Sequence, residues 1–514
     1  MSFENVQLGK SQKIASNAFA LFVRMLAVTL INLYAVRLVL RGLGEMDYGI
    51  FNTIASVITI SVCVSSTLSV AIQRFFSVAL GHQDFAEFNK LFSISINIVI
   101  VLSLIVILLF ETIGLWFVNT HLTIPPDRMV AAQWIYQFAL VVLLLSILQM
   151  PYTAAIFANE SMGVYALISI AECLLKLGVA YLISMATTDR LVFYAAGLLI
   201  TAFIVFLLYV CIARHRYPDC RYKRVSDKSM YMQLLSFSSW TLFGSLSNIG
   251  LIQGNSILLN IFFGPIMVAS FAIALQINVA FNALSNSMVL SFRPSMIKAY
   301  AEKNTGYLNQ LFVACNKFVI YVLAAVALPV FLEMETILQL WLGKTSATTT
   351  VFTRLIIIYI VCAALHHPIT IVMQALGRIK EYHLPVESVC LLSVPLTWLL
   401  FRMGCPSYSV FISMISLCLL AQVVRVLCIR RYHATFSLQQ YLLHIMMPAI
   451  FIIVLCFCLS YALHATIDTA LLRLCVVGLL TPCILLCTVF FLGLSKQERS
   501  LILQLMPLAK GKRT

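Results

Sequence analysis

Residues 91–110 read Leu-Phe-Ser-Ile-Ser-Ile-Asn-Ile-Val-Ile-Val-Leu-Ser-Leu-Ile-Val-Ile-Leu-Leu-Phe, twenty positions without a charge. A helix of that length covers about 30 Å, the thickness of a bilayer's hydrocarbon core. Barrel strands read as shorter, alternating segments, and this run does not alternate. Similar runs recur outward to both ends of the chain. Read against Gly, Pro and charged breaks, they predict fourteen helices, six of them at 13–40, 48–72, 91–118, 130–156, 162–186 and 190–213. Six more are expected at 230–262, 265–292, 307–332, 350–374, 384–402 and 406–429, and two at 443–464 and 468–494.

Composition agrees. The 514 residues are 61% hydrophobic and 10% charged, with a mean hydropathy of +0.98, whereas a soluble domain carries about a quarter charged residues. The polar start, Met1 to Lys13, leads into a stretch longer than a signal-peptide core, which predicts a retained first span. Many of the fifteen cysteines, among them Cys63, Cys173, Cys362, Cys390, Cys456 and Cys475, lie inside apolar runs and act as small apolar residues. No CxxC occurs, and neither a metal site nor a disulfide framework is expected.

A net charge of +15 raises nucleic acid as a partner, but its distribution argues otherwise. With the N-terminus in the cytoplasm, 23 of the 34 Lys and Arg fall in cytoplasmic segments. Eight fall opposite: Arg37, Arg41, Arg128, Arg190, Lys344, Arg354, Arg402 and Arg473. That bias is the positive-inside rule, and it predicts both ends in the cytoplasm. The strongest anchor is Arg214, Arg216, Arg221, Lys223, Arg224 and Lys228. No connection is long enough to fold a soluble domain, so any chemistry lies within the bundle.

The two six-helix blocks resemble one another. Leu91-Phe92-Ser93 aligns with Leu311-Phe312-Val313, Arg74 with Arg293, Trp116 with Trp341, Pro151 with Pro368 and Tyr165 with Tyr382, at spacings of 217 to 225. Blocks with an even number of spans enter from the same side and make parallel repeats. The expected organisation is a first lobe at 1–213, a basic cytoplasmic linker at 214–229, a second lobe at 230–429, and two extra helices with a basic tail at 430–514. Repeat-built transporters place substrate between the repeats near the midplane.

The stretch Arg37-Leu-Val-Leu-Arg-Gly-Leu-Gly-Glu-Met-Asp-Tyr-Gly-Ile-Phe51 resembles the first-loop signature of the polysaccharide-exporter branch of the multidrug/oligosaccharidyl-lipid/polysaccharide flippases. Residues 66–76, Ser-Thr-Leu-Ser-Val-Ala-Ile-Gln-Arg-Phe-Phe, are similar to the same branch. The resemblance in layout covers nearly the whole chain. It implies an all-α polytopic bundle of about fourteen transmembrane helices, with two lobes around a central cavity that opens alternately to each side. It also implies a polyprenyl-diphosphate-linked oligosaccharide as cargo, bound for O-antigen, capsule or exopolysaccharide. Membrane lipids, a glycan polymerase and chain-length machinery are its implied partners.

Arg24 lies about 11 residues inside the first span, too deep to snorkel comfortably, and should face a wet cavity or a partner. Its planar fork suits a diphosphate, and Asn17 lies seven residues earlier on the same face. Glu172 and Lys176, four apart in the fifth span, either neutralise one another structurally or line a cavity. In the cavity reading Lys176 meets phosphate or sugar, while Glu172 holds the lysine or a coupling Na⁺ or H⁺. No other cofactor is expected. Asn248 and Asn255, and then Asn278, Asn282 and Asn286, form amide stripes that suit sugar hydroxyls and equally suit helix packing. Gln73, Arg74 and Arg293 end their spans on the cytoplasmic side, as anchors or as greeters of anionic head groups. Lys317 shares that ambiguity. His366-His367-Pro368 marks a kink, and a histidine proton relay there lacks a partner in sequence.

Two rival readings stand beside the flippase. A cation-coupled drug antiporter of the sister branch should bury a carboxylate in its first helices, where this chain buries Arg24. A glycan polymerase, ligase or glycosyltransferase should show a large outer loop or an Asp-x-Asp motif. The longest outer loop, Glu333 to Thr349, is short, and no such motif occurs.

Overall fold

The computed structural model describes residues 3–59, 62–159, 161–187, 189–225, 227–302, 304–343, 346–376, 378–432, 436–494 and 499. Outside that description also lie the side chains of 3–26, 62–67, 70, 81, 235–245, 248, 287, 290, 291, 293–295, 297, 298, 301, 374, 375 and 379. Every element among the described residues is helical. The first six are α1 (Phe3–Thr59), α2 (Val62–Gly81), α3 (Phe85–His121), α4 (Pro126–Ala158), α5 (Met162–Met185) and α6 (Arg190–Arg216). Then come α7 (Lys228–Phe263), α8 (Pro265–Ala301), α9 (Thr305–Leu332), a short α10 (Met334–Leu342) and α11 (Ala347–Met373). The last four are α12 (Lys380–Arg402), α13 (Ser409–Tyr432), α14 (Leu438–Thr466) and α15 (Ala470–Gly493). Twelve stretches among the described residues are long and apolar enough to cross a membrane. This is a multi-pass membrane protein.

Helix starts follow side-chain caps, which satisfy backbone N–H groups that have no partner within the helix. Asp84 accepts from Glu87 N at 2.8 Å before α3, and Asn304 accepts from Tyr307 N at 3.0 Å before α9. Those two caps stand 220 residues apart. So do the two glycines that break the first helix of each repeat from the second. Gly44, inside α1, has φ 81° and ψ 170°, and Gly264, between α7 and α8, has φ 82° and ψ 179°. Only glycine occupies that region readily, so the repeat seen in side chains is also written in the backbone. The copies part locally. In α3 the turn Phe110–Gly114 is widened to a π-type turn, whereas α9 stops at Leu332 and α10 begins afresh.

The helices pack as two compact units. The first comprises Met1–Ala272 with Cys390–Val410, the second Ile273–Val389 with Phe411–Thr514. In the first, Phe76, Phe88, Phe92, Ile135 and Tyr136 are buried in one core. Aromatic edges fix it, with Phe76 and Phe88 rings 4.8 Å apart and Phe92 and Tyr152 rings 5.5 Å apart. Lipid tails are as apolar as leucine, so polar seams supply what water cannot. Ser56 and Ser256 pair at 2.9 Å, and Asn260 donates to Thr53 and to the Thr123 carbonyl at 3.3 Å each. Asn97 donates to the Tyr231 hydroxyl at 2.7 Å. These bonds fasten α7, the first helix of the second repeat, to α1 and α3 within the first unit.

The basic stretch after α6 is pinned rather than loosely strung. Asn89 of α3 donates to the carbonyls of Asp219 and Arg221 at 2.7 Å each, and Ser93 accepts from Lys223 N at 2.9 Å. Tyr217 donates to Ser161 at 2.7 Å, and Cys220 is fully buried. In the second unit, Glu333 is buried at the junction of α9 and α10, and both its carboxylate oxygens accept from Nε of Arg473 on α15, at 3.0 and 3.2 Å. Arg473 also reaches Thr336 at 3.3 Å, and His464 lies 3.6 Å from the same carboxylate. The last two helices are thereby locked to α9 and α10.

Candidate functional site

The clearest polar feature along a span of the first unit is on α5. Ser161 precedes its first turn, and an uninterrupted run of small and apolar residues carries Glu172 and Lys176 to the helix centre. Ten residues separate Glu172 from Met162 and nine separate Lys176 from Met185, about 15 Å of helix on either side. Lys176 Nζ lies 2.6 Å from Glu172 Oε1, and the side chains keep 44% and 36% of their surface exposed. On a membrane span an ion pair that open faces either water or acyl chains, and a charge costs far less against water.

Helix α1 runs beside this pair in a fixed register. Cys173 contacts Asn32 at 4.0 Å, an offset of 141 residues. Gly42 packs against Ile183 at the same offset, so tightly that an added Cβ would lie 2.6 Å from it. The two helices are therefore parallel. By that register Arg24 is level with Tyr165, seven residues or about 10 Å along the axis from Glu172. The side chains of Arg24 and Asn17 lie outside the described residues, as do those of Asn248 and Arg293.

The remaining candidates divide. Asn282 donates to Asn278 at 2.7 Å on α8, with Asn278 buried and Asn286 exposed, all within the second unit. Asn255 is different. It is fully buried and donates to the Leu251 carbonyl at 2.8 Å and to Ser393 at 3.2 Å. That amide fastens α7 to α12 within the first unit and meets no sugar in this conformation. Arg74 stands exposed near the end of α2, while Lys317 is buried in α9.

Several residues that sequence reasoning set on the far side have local work. Arg128 bridges two carboxylates, Asp47 at 2.7 Å and Asp189 at 2.6 Å. Arg190 donates to the Gly42 carbonyl and Arg354 to the Phe331 carbonyl, each at 3.3 Å. Arg402 sits 5.4 Å over the Trp398 ring. Arg425 was missed. Counted by sequence with the cytoplasmic basics, it is buried inside α13 with 7% of its surface exposed. The signal was available: Arg425 falls within the expected span 406–429, and Gln422 precedes it by one turn.

No protein-family model and no curated protein sequence matches the chain. Solved structures do. The lipid II flippase MurJ, in an inward closed conformation, superposes with a TM-score of 0.72 at 12% identity, over 95% of this chain and 100% of that one. The chain shares its fold with MOP-superfamily transporters. An inward-facing MATE-family multidrug transporter gives a TM-score of 0.67 at 15% identity, over 80% of this chain and 96% of that one. A MOP-superfamily transporter from Pyrococcus furiosus, described by the reversed polarity of its binding pocket, gives 0.58 at 15% identity, over 82% and 95%.

Proposed function

We propose that the protein is a flippase that carries a polyprenyl-diphosphate-linked oligosaccharide from the cytoplasmic to the periplasmic leaflet of the bacterial inner membrane by alternating access. The observation that carries this reading is the exposed Glu172–Lys176 pair at the centre of α5. An ammonium has three donors and one is spent on Glu172, so a phosphate oxygen can be met without breaking the pair. Arg24, about two turns away on the parallel helix, adds a guanidinium suited to the second phosphate. Arg74 and Arg293 receive the anionic head, and Asn17, Asn248, Asn278, Asn282 and Asn286 meet sugar hydroxyls. Alternating access carries this cargo across, with both termini cytoplasmic. A lipid-linked cargo is supported by the near full-length likeness to a lipid II flippase.

One observation favours a second reading. Glu172 is a carboxylate at the centre of α5 that could hold a coupling cation, though not in the first helices, and MATE-family transporters share the fold. The two readings part in one experiment. Full-length protein is reconstituted with a lipid-linked oligosaccharide, and outer-leaflet sugar is oxidised with impermeant periodate. Leaflet transfer of chemically unchanged lipid, lost in Arg24→Ala and Lys176→Gln, is the expected result. Cation-driven uptake of a cationic dye without leaflet transfer would replace the proposal, and covalent change to the glycan would make the protein an enzyme.

A further inference from the structure

Three membrane spans of the second unit, α9, α11 and α14, leave a cleft of about 320 Å³ between them. Small residues make room for it. Ala324 and Ala327 lie three apart on one face of α9, and neither fills the space that a longer side chain would take. Ile357 and Val361 of α11 form another wall, and Phe331 of α9 meets Phe457 of α14 edge-on with rings 6.0 Å apart. The lining is wholly apolar. Ile358 and Val454 on the rim are exposed, so the cleft opens sideways from the three spans.

All three helices turn polar at the same end of the cleft. Helix α9 stops one residue past Phe331. Beyond Phe457, α14 carries Tyr461 and then His464, each ring stacked on the one before at 6.1 Å, and exposed tyrosines of this kind gather where a membrane meets water. On α11, Arg354 stands three residues before Ile357 and about 10 Å inside the helix start at Ala347. Its Nε donates to the Phe331 carbonyl at 3.3 Å, and its guanidinium carbon lies 5.9 Å from the Phe331 ring. The cation is thereby fixed at the mouth of the cleft. No carboxylate among the described residues pairs with it: Glu333, two residues past Phe331, is held by Arg473 at 3.0 Å and by His464 at 3.6 Å. One donor of the guanidinium is spent on a carbonyl, and its two terminal nitrogens keep the planar fork that grips a phosphate.

We propose that the cleft holds one acyl chain of an anionic phospholipid whose phosphate is gripped by Arg354. Apolar walls stay dry, and what meets the rim of a membrane span is hydrocarbon, so the filler is a lipid chain. The volume stands at the lower end of the range for ligand sites, about 300–1,000 Å³, which suits a segment of a single chain. The cation at the mouth selects the head: a neutral lipid leaves the guanidinium without a counter-charge, and an anionic one supplies it. This lipid is resident, a wedge between α14 and the repeat helices α9 and α11, much as Glu333 fastens α15. The assignment stands apart from the cargo proposed above.

The test irradiates full-length protein in nanodiscs with phosphatidylglycerol that carries a diazirine in one acyl chain, and in parallel with the matched phosphatidylcholine. Crosslinked peptides should cover segments 324–331, 357–362 and 453–457, with the anionic probe favoured about fivefold there, the worth of one basic residue beside an anionic head. Arg354→Gln should erase that preference, and Arg354→Lys should keep it because the charge remains. Ala327→Phe should lower the yield of both probes at these segments; should that variant not fold, Val454→Trp at the exposed rim gives the same reading. Equal yields from the two probes in the native chain, a preference that survives Arg354→Gln, or filling variants that leave the yield unchanged overturn the proposal. Loss of the phospholipid adducts when a polyprenyl diphosphate is added also overturns it, because the cleft would then belong to the cargo.

Discussion

Replacing Glu172 by Gln removes the carboxylate 2.6 Å from Lys176 and leaves the ammonium in place. The free-energy cost depends on what the pair faces. If the face is hydrated, the lost attraction is that of an exposed i,i+4 pair, with 44% and 36% of the side chains open. Solvent screening holds such a pair to roughly 0.3–0.5 kcal/mol, and salt lowers it further. If the same face lay against acyl chains, a lone ammonium at mid-span would cost about 2.5–3.5 kcal/mol. The two cases differ by enough to measure. Steric-trap unfolding in bicelles, on Glu172→Gln, Lys176→Gln and the double variant, gives the free energies directly. The expected outcome is that every variant stays within about 1 kcal/mol of native, with a coupling that shrinks in salt. A loss of more than about 2.5 kcal/mol in Glu172→Gln, insensitive to salt and restored in the double variant, would refute the hydrated face.

Other consequences follow from the packing. Glu333→Gln leaves Arg473 facing a neutral amide in a buried site; breaking such a pair costs roughly 3–5 kcal/mol, and protease should then reach the 467–469 turn first. Gly264→Ala and Gly44→Ala each force a Cβ into a glycine-only region, and each should lower stability by about 1–3 kcal/mol in the same assay. Burial, with the Asp219 carboxylate beside it, pushes the Cys220 thiol up to about 12. The thiolate fraction at pH 8 is then on the order of 10⁻⁴, so peptide-resolved alkylation should miss Cys220 at pH 8 and rise about tenfold per pH unit above it. Asn89→Ala, which releases the Asp219 and Arg221 carbonyls, should expose Cys220 to the reagent at pH 8; continued protection would show that those bonds do not hold the segment.

Much of the fold was legible because hydrocarbon is an undemanding reader. Uncharged runs such as 91–110 must be helices there, and their ends fall at Gly, Pro and charge. The break at Gly44 lies between the expected spans 13–40 and 48–72. What sequence could not give was anything decided by a partner distant in the chain. The conformation shared by Gly44 and Gly264 is invisible in a one-letter code that shows only two glycines. Asn255 and Asn278 look alike in sequence, yet one is consumed by Ser393 and the other pairs within its own stripe. The nine residues of α10 between Glu333 and Gly343 are too few to announce a span, so the sequence alone shows a loop there. Arg425 falls inside the expected span 406–429 and close before Arg430-Arg431; only burial distinguishes a snorkelling arginine from an enclosed one. The pair Glu172–Lys176 was legible in spacing, and its exposure was not.

The most direct test of a wet, anion-accepting wall on α5 is a photocrosslink from position 176, using a lysine analogue that keeps its ammonium and carries a diazirine in its stem. Irradiation in cells that make a lipid-linked oligosaccharide should yield an adduct with the mass of that lipid, diminished when Glu172 and Arg24 are replaced. Adducts with bulk phospholipid acyl chains alone would mean that Lys176 faces the bilayer, and the account would fail.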